Sequence, residues 1–438
     1  MVMEVLQINY QSETVGAASF DSDTGLGFFE YSAGFLQSGI ELAPLTMPLS
    51  SQVYSFPGLS RETFKGLPGM LADSLPDDFG NAVLNAWAAS QGRQPGLITP
   101  LQRLQYTGMR GMGALEYSPA TKIRSLNAAQ QVVLDSLLTT AQLVLNARQN
   151  FSQHLGDGVQ ADHEAMLALL SVGTSAGGAR PKAVLAFNRD FSEVRSGQVR
   201  VPDGFNHYLL KFDGVTEYSP QTETFGDPLG FGVMEYVYYL MATACGIQMM
   251  PCHLLEEGSR RHFVTRRFDR NGNDKIHVQT LGAIAHVDYK MPGSFSYAEL
   301  FAVARQLKVP VSDAEQLLRR LVFNLVARNH DDHAKNFAFS LQGRQWRLAP
   351  AYDLAYSYKP GSPWVNSHWM SLNGKRDSFV KEDLYSLGQI SPLFDRRKIN
   401  LVLEEVCSAV AQWQQLAREW QVPSALAEEV GQNLRLLW

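Results

Sequence analysis

The stretch ARNHDDHAKNF, Ala327 to Phe337, decides how the rest of the chain is read. It follows an apolar series at helical spacing, Leu317, Leu318, Leu321, Val322, Leu325 and Val326, whose face has to be buried. A mostly polar run on the end of a buried helix is hard to explain by packing. Within it Asp331 and Asn336 stand in a D-x4-N spacing: a carboxylate able to orient or deprotonate an acceptor hydroxyl, then an amide able to hold a metal ion. Two other readings compete. A charged run is commonly a solvated face, and His330, Asp331, Asp332 and His333 are all metal-ligand types, which would suit a metal-dependent phosphohydrolase. Consecutive side chains cannot all reach one ion, however, and His207, His253 and His262 fall in strand-like segments without motif context.

Working outward, LAPAYDL (Leu348 to Leu354) ends an apolar run on Asp353, which could complete a metal site with Asn336, although alone it would be read as capping a turn. Upstream, HYLLKFDG (His207 to Gly214) reads as a strand with Tyr208, Leu210 and Phe212 on one face and Leu209 and Lys211 on the other. A lysine among apolar neighbours needs a partner. Glu235, expected in the first turn of a helix from Val233 to Cys245 closed by Gly246, would give the strand-lysine, helix-glutamate pair that positions nucleotide phosphates in kinases. The alternative is an edge-strand lysine and a glutamate favoured by the helix dipole. Further upstream, SVGTSAGGARPK (Ser171 to Lys182) places Gly173, Gly177 and Gly178 around Thr174, Ser175 and Ala176, where backbone N–H groups could approach phosphate oxygens. It is not a Walker A loop, because Ala179 occupies the place of the required lysine and Lys182 comes later. Such a turn alone reads as a hairpin. Four weak signals in the order that phosphoryl transfer requires carry more than any one of them.

The chain has 438 residues, enough for several compact units at roughly 100 to 200 residues each. Apolar residues make up 45% and charged ones 18%, which excludes intrinsic disorder, and a net charge of −5 gives no field to hold a polyanion directly. Cys245, Cys252 and Cys407 are too few for a disulfide framework. A start without a basic-then-apolar leader points to the cytoplasm. Tyr236 to Leu255 lacks Lys, Arg, Asp and Glu but contains Gly246, Gln248, Pro251 and His253, so it reads as a buried helix followed by a strand, with no membrane partner.

The first ~60 residues, turn-rich with short apolar runs such as GLGFFEYS (Gly25 to Ser32), predict small antiparallel strands. Helices follow: one with Leu75, Phe79, Val83 and Trp87 on a face, capped by Asp73 or Ser74 with Pro76 in its first turn; one opened by Thr99 and Pro100; and one from Ala128 to Arg148 striped by Val132, Leu137, Leu138, Ala141, Val144 and Leu145. KAVLAFN (Lys182 to Asn188) and RHFVTRRFDR (Arg261 to Arg270) read as strands, and Ile399 to Trp420 as one long amphipathic segment. The expected fold class is α+β, divided into an N-terminal αβ domain over 1–155, a small lobe with the Gly-rich loop over 156–275 and a mostly helical lobe over 276–438.

FKGLPGMLADSLPDDFGNAVL (Phe64 to Leu84), TGMRGMGAL (Thr107 to Leu115), SAGGARPK, RRFDR, HDDHAKNF, LAPAYDL and SLNGKRDSF together resemble the HipA-type serine/threonine kinases, toxins of bacterial toxin-antitoxin pairs. The resemblance implies a kinase-like two-lobed core that uses ATP and magnesium, with Asp331 as catalytic base, Asn336 and Asp353 as metal ligands and Lys211 on the phosphates. His333 and Lys335 would lie near those phosphates, Lys182 and Glu235 would belong to the nucleotide site, and the backbone of Arg266 and Phe268 would meet the adenine edge. The family usually has an acidic residue where Arg266 stands and often a glycine where Asp332 stands. Ser175 matches the serine on which these kinases phosphorylate themselves and switch off. The resemblance further implies a helix-turn-helix antitoxin (HipB-like), operator DNA reached mainly through it, and an aminoacyl-tRNA synthetase, glutamyl-tRNA synthetase above all, as protein substrate. Substrate choice is expected to lie between Ala355 and Phe379 and in the N-terminal domain. A catalytically weak co-repressor that only holds the antitoxin is the alternative.

Overall fold

The structure is a computed structural model that describes residues 4–121, 131, 132, 137, 139–142, 180–216, 226, 227 and 229–438. The chain divides into two compact units, the first of residues 1–41, 49–232 and 252–277, the second of 42–48, 233–251 and 278–438.

The first unit opens with the antiparallel strands expected from its turn-rich start: β1 (Glu4–Tyr10), β2 (Glu13–Asp21) and β3 (Leu26–Tyr31), joined by β4 (Leu115–Ser118) in the order β3-β2-β1-β4. Gly16 is required where β2 meets β3, because a Cβ there would come 2.1 Å from the Glu30 carbonyl oxygen. Helix α1 (Asp78–Ser90) buries Phe79, Val83 and Trp87, as the spacing predicts. Its cap is Asp77, not Asp73 or Ser74: the Asp77 carboxylate accepts from Gly80 N at 2.6 Å, while Asp73 closes the separate turn Gly69–Ala72. Helix α2 (Pro100–Thr107) carries the capping box of Thr99 and Gln102.

A second sheet in this unit contains β5 (Lys182–Phe187), β6 (Val194–Ser196), β7 (Asn206–Lys211), β8 (Cys252–Glu257) and β9 (Arg260–Arg266), in the order β8-β9-β7-β5-β6 and antiparallel throughout. The apolar face of α1 shares one core with Ala183, Leu185, Leu210 and Val264 of this sheet. The expected helix from Ala128 does not hold at Gln131 and Val132. Gln131 bridges Arg195 and Val132 N donates to Val194 O at 3.2 Å, so the unpaired backbone of edge strand β6 claims these residues in extended form. Residues 137 and 139–142 are helical, with Leu137 and Ala141 buried, and the rest of that segment lies outside the described residues.

The second unit is mainly helical. Helix α3 (Phe231–Ala244) begins just before it and ends at Gly246, whose φ of +78° suits a glycine. This start is earlier than Val233, so Glu235 stands beyond the first turn. Helix α4 (Tyr297–Gln306) and α5 (Val311–Val326) lead to a sheet of β10 (His277–Thr280), β11 (Ala338–Gln342) and β12 (Gln345–Leu348) in that order. Ile399 to Trp420 is two helices rather than one: α6 (Arg396–Val410), packed on α5, and α7 (Trp413–Glu419), followed by α8 (Ser424–Asn433). The break lets Trp413 enter the core edge-on to Tyr238 at 5.7 Å, with its indole N–H donating to Ala427 O at 2.9 Å. Among the described residues no helix is long and apolar enough to cross a membrane.

Candidate active site

The polar run is presented by α5. Every residue from Leu321 to Ala327 on it is buried, and the helix ends with Ala327 N bonded to Phe323 O. Arg328 then takes a positive φ of 57°, which turns the chain abruptly out of the helix. The loop is closed on itself: Asn336, in the 3₁₀ turn Ala334–Asn336, donates its side-chain amide to the Asp331 carbonyl at 2.6 Å, and its backbone N–H reaches His333 O at 2.9 Å. The Asp331 carboxylate is 41% exposed, with His333 Nε2 3.6 Å from it. Asp331, His333 and Asn336 are thus brought together, and the carboxylate faces outward.

Asp332 faces the other way. It is buried and accepts from Tyr297 Oη at 2.6 Å, His368 Nδ1 at 2.9 Å and Trp369 N at 2.7 Å, a full shell for a buried carboxylate. Asn324 donates to Tyr297 Oη at 3.1 Å and Asn329 to Asn324 at 2.9 Å, continuing the network into α5. The sequence reading missed this role, although two adjacent aspartates in extended backbone have to point in opposite directions. His330 is buried too, its ring 4.0 Å from His368; burial first, then the adjacent His368, push its pKa down to about 2. Among the described residues no group of three or more His, Cys, Asp or Glu could hold a metal ion.

The segment that carries Asp353 is tied to the loop by a different route. Asp313 on α5 holds β12 through a two-pronged pair with Arg347, both contacts 2.8 Å, and accepts from Leu348 N at 2.9 Å. Arg320, two turns further along the same face of α5, donates to Ala349 O at 2.6 Å. Tyr352 then donates to the Lys335 carbonyl at 2.6 Å, which ties the residue before Asp353 to the residue before Asn336. Asp353 itself has a φ of 53°, a conformation that costs a non-glycine residue energy and marks a constrained position. The Lys335 ammonium lies over the Tyr289 ring, 4.7 Å from its centroid.

In the first unit Lys182 and Lys211 are buried and lie directly opposite one another across β5 and β7. Two facing cations repel, so each needs compensation. Lys182 has Asp77 at 3.7 Å, and the Lys211 ammonium sits 5.8 Å from the Phe263 ring centroid. Arg266 ends β9, paired with Tyr208, and Phe268 follows in a turn built by its neighbours. Asp269 there receives Arg267 at 2.8 and 2.7 Å, Arg270 at 2.7 Å and Gly113 N at 2.7 Å, while Arg270 also donates to Gly111 O and Gly113 O. Burial works to raise the Asp269 pKa, but the two guanidiniums and the Gly113 N–H hold it below the usual carboxylate range. RRFDR and TGMRGMGAL therefore read as two halves of one buried ionic cluster. Glu235 is buried on α3 of the second unit. Gly173, Thr174, Ser175, Ala176, Gly177 and Gly178 lie outside the described residues.

Comparison with known proteins gives one consistent answer. Residues 174–414, more than half of the chain, match the HipA-like C-terminal domain, and residues 6–118 match the HipA N-terminal domain. The chain is 21% identical over 370 residues to the serine/threonine-protein kinase toxin HipA of Shewanella oneidensis, covering 80% of this chain and 74% of that protein. It is 28% identical over 188 residues to the putative kinase Y4mE of Sinorhizobium fredii, 39% of this chain and 44% of that one, so it spans less than half of that relative. Among solved structures it shares its fold with HipA of Shewanella oneidensis, crystallised with HipB and operator DNA, at a TM-score of 0.65 and 18% identity over 98% of this chain and 94% of that one.

Proposed function

The chain belongs to the HipA family, and from that premise we propose that it is an ATP- and magnesium-dependent protein serine/threonine kinase acting as the toxin of a toxin-antitoxin pair. The observation that carries this reading is the loop itself: an outward-facing Asp331 whose main-chain carbonyl is held by Asn336 and whose carboxylate is flanked by His333. A carboxylate so placed can accept the proton of an acceptor hydroxyl as the oxygen attacks, and the rigid turn fixes where that hydroxyl has to stand. Asn336 uses its nitrogen in the turn, so the atom it offers a cation is Oδ1; with the Asp353 carboxylate this makes a hard oxygen donor pair of the kind magnesium takes. Bound there, magnesium would neutralise charge on the transferred phosphoryl group of ATP. Carried over from the family, Lys211 would contact the phosphates, His333 and Lys335 would lie near them, Lys182 and Glu235 would belong to the nucleotide site, and the backbone of Arg266 and Phe268 would meet the adenine edge.

The finer parts of the proposal rest on the family. The Gly-rich loop from Gly173 to Gly178 covers the phosphates, and phosphorylation of Ser175 would add about −1.5 to −2 charges there and expel it, switching the enzyme off. The division into 1–155, 156–275 and 276–438 belongs to the same proposal, as do a cytoplasmic location, a HipB-like helix-turn-helix antitoxin that carries the contact with operator DNA, and an aminoacyl-tRNA synthetase as substrate. HipA of Shewanella oneidensis was crystallised with HipB and operator DNA, which supports the partner.

Calorimetric titration with ATP tests the nucleotide site. Binding should depend on magnesium in the wild type, and Asp353→Ala should abolish that dependence; affinity unchanged by either would contradict the assignment. Incubation of a bacterial lysate with labelled ATP should place label on serine or threonine of one main protein.

A further inference from the structure

An aromatic shelf extends from the catalytic loop to the protein surface within the second unit. Trp369 meets His333 edge-on at 5.6 Å, and Trp364 stacks on Trp369 at 5.9 Å with the planes only 6° apart. Trp369 is buried, but Trp364 is 51% exposed, an unusual position for the largest apolar side chain. Its loop is stiff: Ser362 Oγ accepts from Trp364 N at 3.2 Å, Gly361 N donates to Asn366 at 2.8 Å, and Lys359 N reaches Val365 O at 3.4 Å. Gly293 N donates to Trp369 O at 2.8 Å, which holds the backbone of the tryptophan beneath it. A held tryptophan costs little ordering entropy when something binds.

Resting on the kinase reading above, we infer that Trp364 is a specificity-determining residue of the same site: it receives an uncharged apolar or aromatic side chain of the protein substrate, close in sequence to the acceptor serine or threonine and beside an acidic residue. Three observations choose this occupant. The shelf is continuous with His333, which lies 3.6 Å from Asp331, so whatever rests on Trp364 is near the acceptor. A tryptophan face also attracts cations, yet between Asp353 and Asp377 its loop carries Lys359, Lys375 and Arg376 and neither Asp nor Glu; Lys375 is paired with Asp383 at 2.8 Å, so Lys359 and Arg376 are the charges that would repel a basic side chain and welcome an acidic neighbour. Finally, Trp369 beneath it is buried while Trp364 keeps 51% of its surface exposed, so the indole face left open to a partner is apolar.

The test uses the full chain with magnesium-ATP and an array of serine peptides in which each flanking position is varied in turn. At one position the wild type should prefer Leu or Phe over Ala by about tenfold and select against Lys and Arg, the size expected for a tryptophan anchor. Trp364→Ala should lose that preference, while Trp364→Phe keeps most of it and both variants keep the wild-type unfolding midpoint. Selection unaffected by Trp364→Ala, a preference for basic side chains, or labelling of a lysate protein but of no peptide would overturn the shelf and leave the kinase reading standing. If the wild type labels nothing in lysate or array, the kinase reading falls and the shelf with it.

Discussion

Asp331 and Asp332 are neighbours in sequence with opposite work, one turned to solvent with His333 beside it, the other buried under Tyr297, His368 and Trp369. Replacing Asp332 with Asn keeps the shape but removes the charge from three donors. The expected cost is about 1.5–3 kcal/mol of stability, read as a lower denaturant midpoint, and Asp331→Asn should leave that midpoint unchanged. From sequence the HDDH run shows chemistry but not direction, because which aspartate turns inward depends on Tyr297 and His368, both remote in the chain. Histidines that are buried neutral set a second residue-scale expectation. Burial, then the charge of Arg267, pushes the His207 pKa down to about 4, and burial does the same to His286. The unfolded chain takes up protons on both from about pH 6.5 downward while the native protein does not, so stability should fall as pH drops from there towards 4. His207→Gln should flatten that fall in a series of thermal melts.

At the level of elements, periodicity located α1, α2, α3 and α5, although α1 is capped by Asp77 rather than Asp73 or Ser74 and α3 starts before Val233. Thr99→Ala should remove the cap of α2 for about 1 kcal/mol, measured by chemical denaturation. Local pattern failed where tertiary contacts decide, with Val132 drawn into the sheet edge by Val194 and the α6–α7 break made by the burial of Trp413. The helix most important to the site is α5, which delivers the Asp331 loop from its end and steadies the Asp353 segment from its side. Asp313→Ala frees Arg347 and the Leu348 N–H. It should cost about 1–2 kcal/mol, because Arg347 is partly exposed, and it should weaken magnesium-ATP binding through Asp353 while leaving Asp331 in place.

Across the whole molecule, the motifs that mark the family divide into those that do chemistry and those that hold the first unit together. RRFDR and TGMRGMGAL are far apart in sequence and meet in the Asp269 cluster, a pairing that no local pattern could reveal. Asp269→Ala strands two buried guanidiniums and should cost about 3–5 kcal/mol, enough to leave little folded protein. The Asp269 carboxylate is held below its ordinary pKa, so its contribution is complete at neutral pH and declines only as the pH falls below about 4. The central claim, that the Asp331 loop performs phosphoryl transfer to protein, is tested most directly by the rate at which purified wild-type and Asp331→Asn protein move label from magnesium-ATP to serine or threonine in a bacterial lysate. The account predicts a loss of about 10²- to 10⁴-fold with ATP affinity and unfolding midpoint retained. Transfer by Asp331→Asn at the wild-type rate would contradict it.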